Sequence, residues 1–192
     1  MGKVVYLTGA PASGKSSTTR LLREGDPELL VWEYGARLTE HINGRSVGIV
    51  HQDQLRERSA SVVTAADIED VDRALLEFVA THRSTHNIII DSHPVTKEAF
   101  GFRITPFSLE QFRRLAPDEI WLLYVSPKVT IERIANDPAG RPTVSEEDAR
   151  LHTSLQASVA ATYGISIGRA VHLFDGAGDR SELIARLQKR LA

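Results

Sequence analysis

Residues 9–17 read "GAPASGKSS" and follow the apolar run "VVYLT" directly. Two glycines bracket a four-residue gap, then a lysine and two hydroxyls follow, which meets the G-x-x-x-x-G-K-[ST] pattern of a phosphate-binding loop at every position. Such a loop works only where a buried strand delivers it and a helix leaves it. Its glycines let backbone N–H groups curl round an anion, and the helix presents its positive N-terminal end to the same charge. A strand over Val4 to Thr8 and a helix from Lys15 onward are therefore predicted, and the rest of the chain has to build a sheet around them.

The remaining pattern does so. Runs at Ile88 to Asp91, Ile120 to Val125 and Ala170 to Phe174 are rich in β-branched and aromatic residues, as buried parallel strands are. A weaker fifth run, "LLVWEYG", ends at Gly35. Between them lie helical segments with their own start signals. Thr64 is placed to cap a helix whose apolar face is Ile68, Val71, Leu75 and Phe78, with Asp67 at its third position. Ser108 with Gln111, Ser126 with Pro127, Ser145 with Asp148, and Asp179 with Glu182 open four more. Strands alternating with helices imply an open α/β sheet, whose ligands bind outside the carboxyl ends of the strands. Two stretches break the alternation: residues 36–63, carrying His41, Arg45, His51, Arg56 and Arg58 without a strong period, and residues 136–144, "NDPAGRPTV". Both read as excursions from one core, because 192 residues make one ordinary domain and two would be cramped.

Composition limits the function classes. With 42% hydrophobic and 25% charged residues and a formal net charge of -2, the chain reads as globular, with no general pull toward nucleic acid or an anionic membrane. Any basic site is therefore local. There is no cysteine, so disulfide and thiolate chemistry are excluded, which suits the cytoplasm. The opening "MGKVVYL" does not read as a signal peptide, and no run approaches the roughly 18–20 apolar residues of a membrane span.

The chemistry follows from what the loop holds. Gly9, Ala10, Pro11, Ala12, Ser13, Gly14, Lys15, Ser16 and Ser17 form the candidate nucleotide-binding set. Lys15 brings a full positive charge to the β and γ phosphates, and the Ser16 hydroxyl is placed to ligate Mg²⁺. Asp91 ends "IIID" at the same sheet edge, where its carboxylate could hold the metal through a water, or simply end a strand. His93 could orient Asp91, touch an acceptor, or satisfy a turn. Phosphoryl transfer also needs cations on the moving group. Arg141, in a Gly-Arg-Pro, is the candidate lid cation, Arg133 precedes it on a helix, and Arg56 could grip an acceptor's phosphate with its fork. Each of these arginines alone also fits a solvated surface charge.

In this order the residues resemble the archaeal-type adenylate kinases of the P-loop nucleoside monophosphate kinase superfamily. Besides the loop, the shared marks are "EYG", "DQLR", "IIIDSH", a Gly-Phe, "APD", "IERIAND" and "ATYGISIG". The resemblance implies a three-layer P-loop NTPase fold with a five-stranded parallel sheet. It also implies Mg-ATP at the loop, an acceptor site from residues 36–64 and 92–106 that includes Gln54 and Arg56, and a short lid over 137–144. Transfer of the γ-phosphate of ATP to a small-molecule acceptor, AMP first, is the implied reaction.

The chain departs from the family in two places. The lid supplies Arg141 alone where the family has two arginines and an aspartate, and Gln156–Ala157 stands where the family has an Asn-Arg pair. Arg150, about two turns earlier, would compensate only from the same face of its helix. Arg103 in the acceptor loop could serve an extra anion. A kinase of another acceptor, such as a nucleoside or a hydroxylated metabolite, is therefore a second reading. An assembly or switch ATPase is a third. A GTPase is disfavoured: "DGAG" at 175–178 matches a switch motif only by letters, and no Asn-Lys-x-Asp follows.

Overall fold

The computed structural model describes residues 2–45, 63–137 and 142–192. Its centre is a five-stranded, wholly parallel sheet of β1 (Val4–Thr8), β2 (Leu30–Glu33), β3 (Ile88–Asp91), β6 (Glu119–Tyr124) and β7 (Val171–Asp175), in the order β2-β3-β1-β6-β7. All five lie within a residue or two of the runs read from the sequence. Side chains alternate along each strand, so both faces need covering. Val4, Tyr6, Ile88, Ile90, Ile120 and Leu122 meet α3 (Ala65–His82), α4 (Leu109–Leu115) and α6 (Glu146–Ile167). Val5, Leu7, Ile89, Trp121 and Leu123 meet α1 (Lys15–Gly25) and α7 (Arg180–Leu191). Burial on both faces is why β1, β3 and β6 read as continuous apolar runs. The result is the three-layer fold expected from the resemblance.

The expected helix starts are present as side-chain caps. Thr64, Ser108, Ser126, Ser145 and Asp179 each accept a hydrogen bond from the amide three residues on, and α5 (Pro127–Ala135) carries its proline in the first turn. At Thr64 the box is reciprocal, because Asp67 accepts from the Thr64 amide in return. Caps of this kind each contribute about 1 kcal/mol.

Two elements correct the sequence reading. The start of the first excursion is a helix, α2 (Tyr34–Gly44), rather than an aperiodic stretch. Its buried side falls on Leu38, Thr39 and Ile42, but Glu33 caps it without a side-chain bond and Gly35 interrupts its start, which hid it. It docks on α3 through His41 and Arg45, both of which reach the buried Asp67 carboxylate. Residues 92–106 contain an antiparallel hairpin, β4 (Val95–Glu98) and β5 (Gly101–Ile104), separate from the main sheet. Its strands are four residues long and its turn lacks an Asn-Gly or Asp-Gly signal, so no hairpin was legible.

Candidate active site

The phosphate loop leaves β1 at the carboxyl edge of the sheet and packs tightly. A Cβ on Gly9 would stand 2.4 Å from the Leu123 carbonyl oxygen, so only glycine fits there. Gly14 takes a left-handed φ of 99° as the N-cap of α1, which has no side-chain cap bond. Ala12 also sits in the left-handed region, at φ 61°, which a non-glycine residue adopts only when its surroundings impose it. The surroundings are two arginines. Arg133 donates to the Ala12 carbonyl at 3.0 Å and to the Gly176 carbonyl at 2.7 Å, and Arg180 donates to the Gly14 carbonyl at 3.4 Å. Burial, then the neighbouring Arg180, pull the Arg133 pKa down, against Asp175, which pushes it up.

The cradle fits a polyphosphate. The Ser13 hydroxyl is buried with no hydrogen-bond partner among the described residues, and Lys15 points its ammonium to within 3.6 Å of the Asp91 carboxylate, with the Lys15 and Asp91 side chains about seven-eighths buried. Among the described residues no group of three or more His, Cys, Asp or Glu could hold a metal by itself. A magnesium ion would therefore rest on Ser16 and Asp91 together with the nucleotide's own oxygens. What a bound Mg-ATP supplies is the transferable phosphoryl group and a counter-charge for it.

Next to Asp91 the chain enters a second space. Ser92 and His93 line a cavity of about 210 Å³ together with Tyr34, Leu38 and Ile68 on one side and Thr96, Arg103, Pro106 and Phe107 on the other. Its aromatic wall is braced from behind. Tyr34 and Phe107 meet edge to face at 5.4 Å, the Phe107 amide donates to the Tyr163 hydroxyl at 2.7 Å, and Tyr163 stacks on Phe112 at 3.9 Å. The Tyr34 hydroxyl donates to the buried Asp72 carboxylate at 2.7 Å. Burial pushes Asp72 up to about 6, against the bond from Tyr34, which pulls it down.

That shift has a sign that can be checked. The folded value lies above the ordinary 3.8, so the stability linked to this group is complete below about pH 4 and is lost as pH rises through about 6. Asp72→Asn keeps an acceptor for Tyr34 and removes the buried charge. Denaturant melts are expected to find the variant more stable than wild type by about 1–3 kcal/mol at pH 8, with the gap closing toward pH 4.

The sequence-derived set divides accordingly. Lys15, Ser16, Asp91 and Arg133 come together around the phosphate loop, and His93 and Arg103 line the adjoining cavity. Arg103 faces Glu98 at 3.3 Å. Gln54, Arg56 and Arg141 lie outside the described residues. Gln156 is fully buried and accepts from the Thr8 hydroxyl at 3.1 Å, and Ala157 packs against the core, so this turn of α6 brings no cation. The Arg150 side chain is 62% exposed and pairs with Glu147 at 3.6 Å. Sequence reasoning missed Arg180, Tyr34 and Phe107. Arg180 directly follows a helix-capping aspartate beside a glycine turn, which was its one available signal.

Residues 8–150 match an AAA domain family, AAA_17. The chain belongs to that family. Among its relatives, an adenylate kinase of Pyrobaculum aerophilum is 28% identical over 77% of this chain and 72% of that protein. A dephospho-CoA kinase of Staphylococcus epidermidis is 27% identical over 100% of this chain and 95% of that protein. A sugar kinase from Janibacter sp. HTCC2649 shares the fold with a TM-score of 0.58 at 15% identity, covering 100% of this chain and 96% of that one. The relatives are P-loop kinases, and the resemblance to the adenylate kinases read from the motifs is borne out. No described helix is long and apolar enough to cross a membrane.

Proposed function

We propose that the chain is an ATP-dependent phosphotransferase of the cytoplasm that moves the γ-phosphate of Mg-ATP to a nucleoside monophosphate, AMP first among them. One observation carries this reading: Asp91, Ser92 and His93 are consecutive, and the first faces Lys15 in the phosphate loop while the next two line the 210 Å³ cavity. Donor and acceptor spaces therefore share one strand end, as in-line transfer requires. In this reading Lys15 draws charge off the phosphates. Ser16 and, through a water, Asp91 hold the metal, and Arg133 fixes the loop. Arg141 closes over the nucleotide, and Gln54, Arg56, His93 and Arg103 meet the acceptor.

The chemistry is a single displacement. An acceptor oxygen bonds to phosphorus as the bond to the bridging oxygen breaks, and that oxygen leaves with the electron pair. An ionised phosphate acceptor has no proton to give up, so no general base is needed. Incubation with Mg-ATP and a panel of monophosphates, followed by anion-exchange chromatography, is expected to yield ADP and a diphosphate with AMP. The absence of transfer to every monophosphate would remove the reading.

The second reading, a different small-molecule acceptor, is favoured by Ala157 and by the largely apolar wall of the cavity. Including nucleosides and dephospho-CoA in the same panel separates the two.

A further inference from the structure

The β4–β5 hairpin has two faces, and they look into different spaces. Lys97 stands opposite Phe102 across the ladder, and Thr96 stands opposite Arg103. Successive strand residues point to opposite sides, so these two pairs are on different faces. Thr96 and Arg103 line the acceptor cavity. Lys97 and Phe102 line a smaller hollow whose other walls include Ala10 and Pro11 of the phosphate loop and Asp148 and His152 of α6. The hairpin is thus a partition between the donor and acceptor spaces, with a cation on its donor side.

That cation is positioned by a stack of contacts. Its ammonium lies 4.7 Å from the Phe102 ring centroid and 3.0 Å from the Asp148 carboxylate. Phe102 meets His152 edge to face at 5.2 Å, and His152, itself buried, bonds the Val95 carbonyl at 3.0 Å. Burial, Lys15 and Lys97 all lower the His152 pKa, which puts one neutral ring within electrostatic reach of both ammonium groups. The Lys97–Asp148 pair is more than a third exposed on both sides, or nearly so, and such a pair is held weakly. A stronger anion arriving at Ala10 and Pro11 can therefore take the lysine from Asp148.

We propose that Lys97 is a catalytic cation of this chain, which meets the phosphoryl group in flight from the donor side where Gln156–Ala157 leaves no arginine, and that Asp148 holds it in readiness. The proposal rests on the phosphotransferase reading. As the bond to the bridging oxygen breaks, negative charge grows on that oxygen and is spread over the three oxygens of the moving group. An ammonium kept by Asp148 within reach of the loop and drawn onto them in this state stabilises it more than the ground state, which raises turnover rather than affinity.

The test compares Lys97→Met and Lys97→Arg with wild type by thermal shift, first with Mg-ADP and then with Mg-ADP plus aluminium fluoride, a mimic of the planar phosphoryl group. ATP turnover is followed in parallel, with an acceptor or with water. In Lys97→Met the Mg-ADP shift is expected to persist and the further shift from fluoride to vanish. Turnover should fall about 100-fold with KM for ATP within about threefold, and Lys97→Arg should recover most of both losses. The proposal is overturned if Lys97→Met keeps the fluoride increment or its turnover. It is equally overturned if Lys97→Met loses the Mg-ADP shift in parallel, or if wild type gains nothing from fluoride. A wild type that phosphorylates no monophosphate while its fluoride increment still depends on Lys97 removes the acceptor reading and leaves Lys97 in place. Transfer to AMP at an unchanged rate in Lys97→Met does the reverse.

Discussion

Lys15→Met is expected to lower kcat/KM for phosphoryl transfer by about 1,000-fold or more, a loss of about 4 kcal/mol from the transition state. The same variant should lose the rise in melting temperature that Mg-ATP gives wild type, because that rise measures binding to the native state by mass action. The size of the effect follows from the setting. Lys15 is largely buried, and its ammonium stands 3.6 Å from the Asp91 carboxylate. A charge held there meets little screening by water, and a methionine of similar length restores the shape without the charge. A variant that still transfers phosphate within tenfold of wild type would mean that the loop does not hold the reacting nucleotide.

Asp91→Asn is the second large effect, and it reads out differently. Asparagine preserves the shape at the end of β3 but weakens any hold on a magnesium ion and frees Lys15 of its anion. Turnover at saturating Mg²⁺ is expected to fall by about 100- to 1,000-fold, and the Mg²⁺ concentration for half-maximal turnover should rise by about an order of magnitude. A magnesium titration of initial rates checks both. The two substitutions remove members of one unit, so the Lys15→Met/Asp91→Asn double variant should be scarcely worse than the worse single. Additive losses would separate the two residues into independent roles.

The strands and caps were legible because each is written locally. Val4 to Thr8 and Ile88 to Asp91 are apolar runs of a length that only a doubly covered strand explains, and Thr64, Ser108, Ser126, Ser145 and Asp179 announce helices by their own side chains. The phosphate loop was legible for the same reason, since nine consecutive residues carry its geometry. Residues 95–104 were not. Among the described residues their strands pair only with each other, and Phe100 and Ile104 are exposed, so the usual burial pattern is absent. The role of Lys97 depends on which face of that hairpin it occupies and on a carboxylate 51 residues away. Sequence spacing encodes neither. The aromatic wall of the cavity is hidden in the same way, because Tyr34, Phe107 and Tyr163 meet only through the fold.

Arg133 bonds the carbonyl oxygens of Ala12 and Gly176, so one side chain ties together three segments that are far apart in sequence. Its consequence is entropic. The loop's left-handed turn at Ala12 is fixed by folding rather than by the ligand, and the nucleotide meets a rigid receptor with little conformational freedom left to lose. Part of the loop's readiness for phosphates is thus built by a side chain that bonds its carbonyl oxygen.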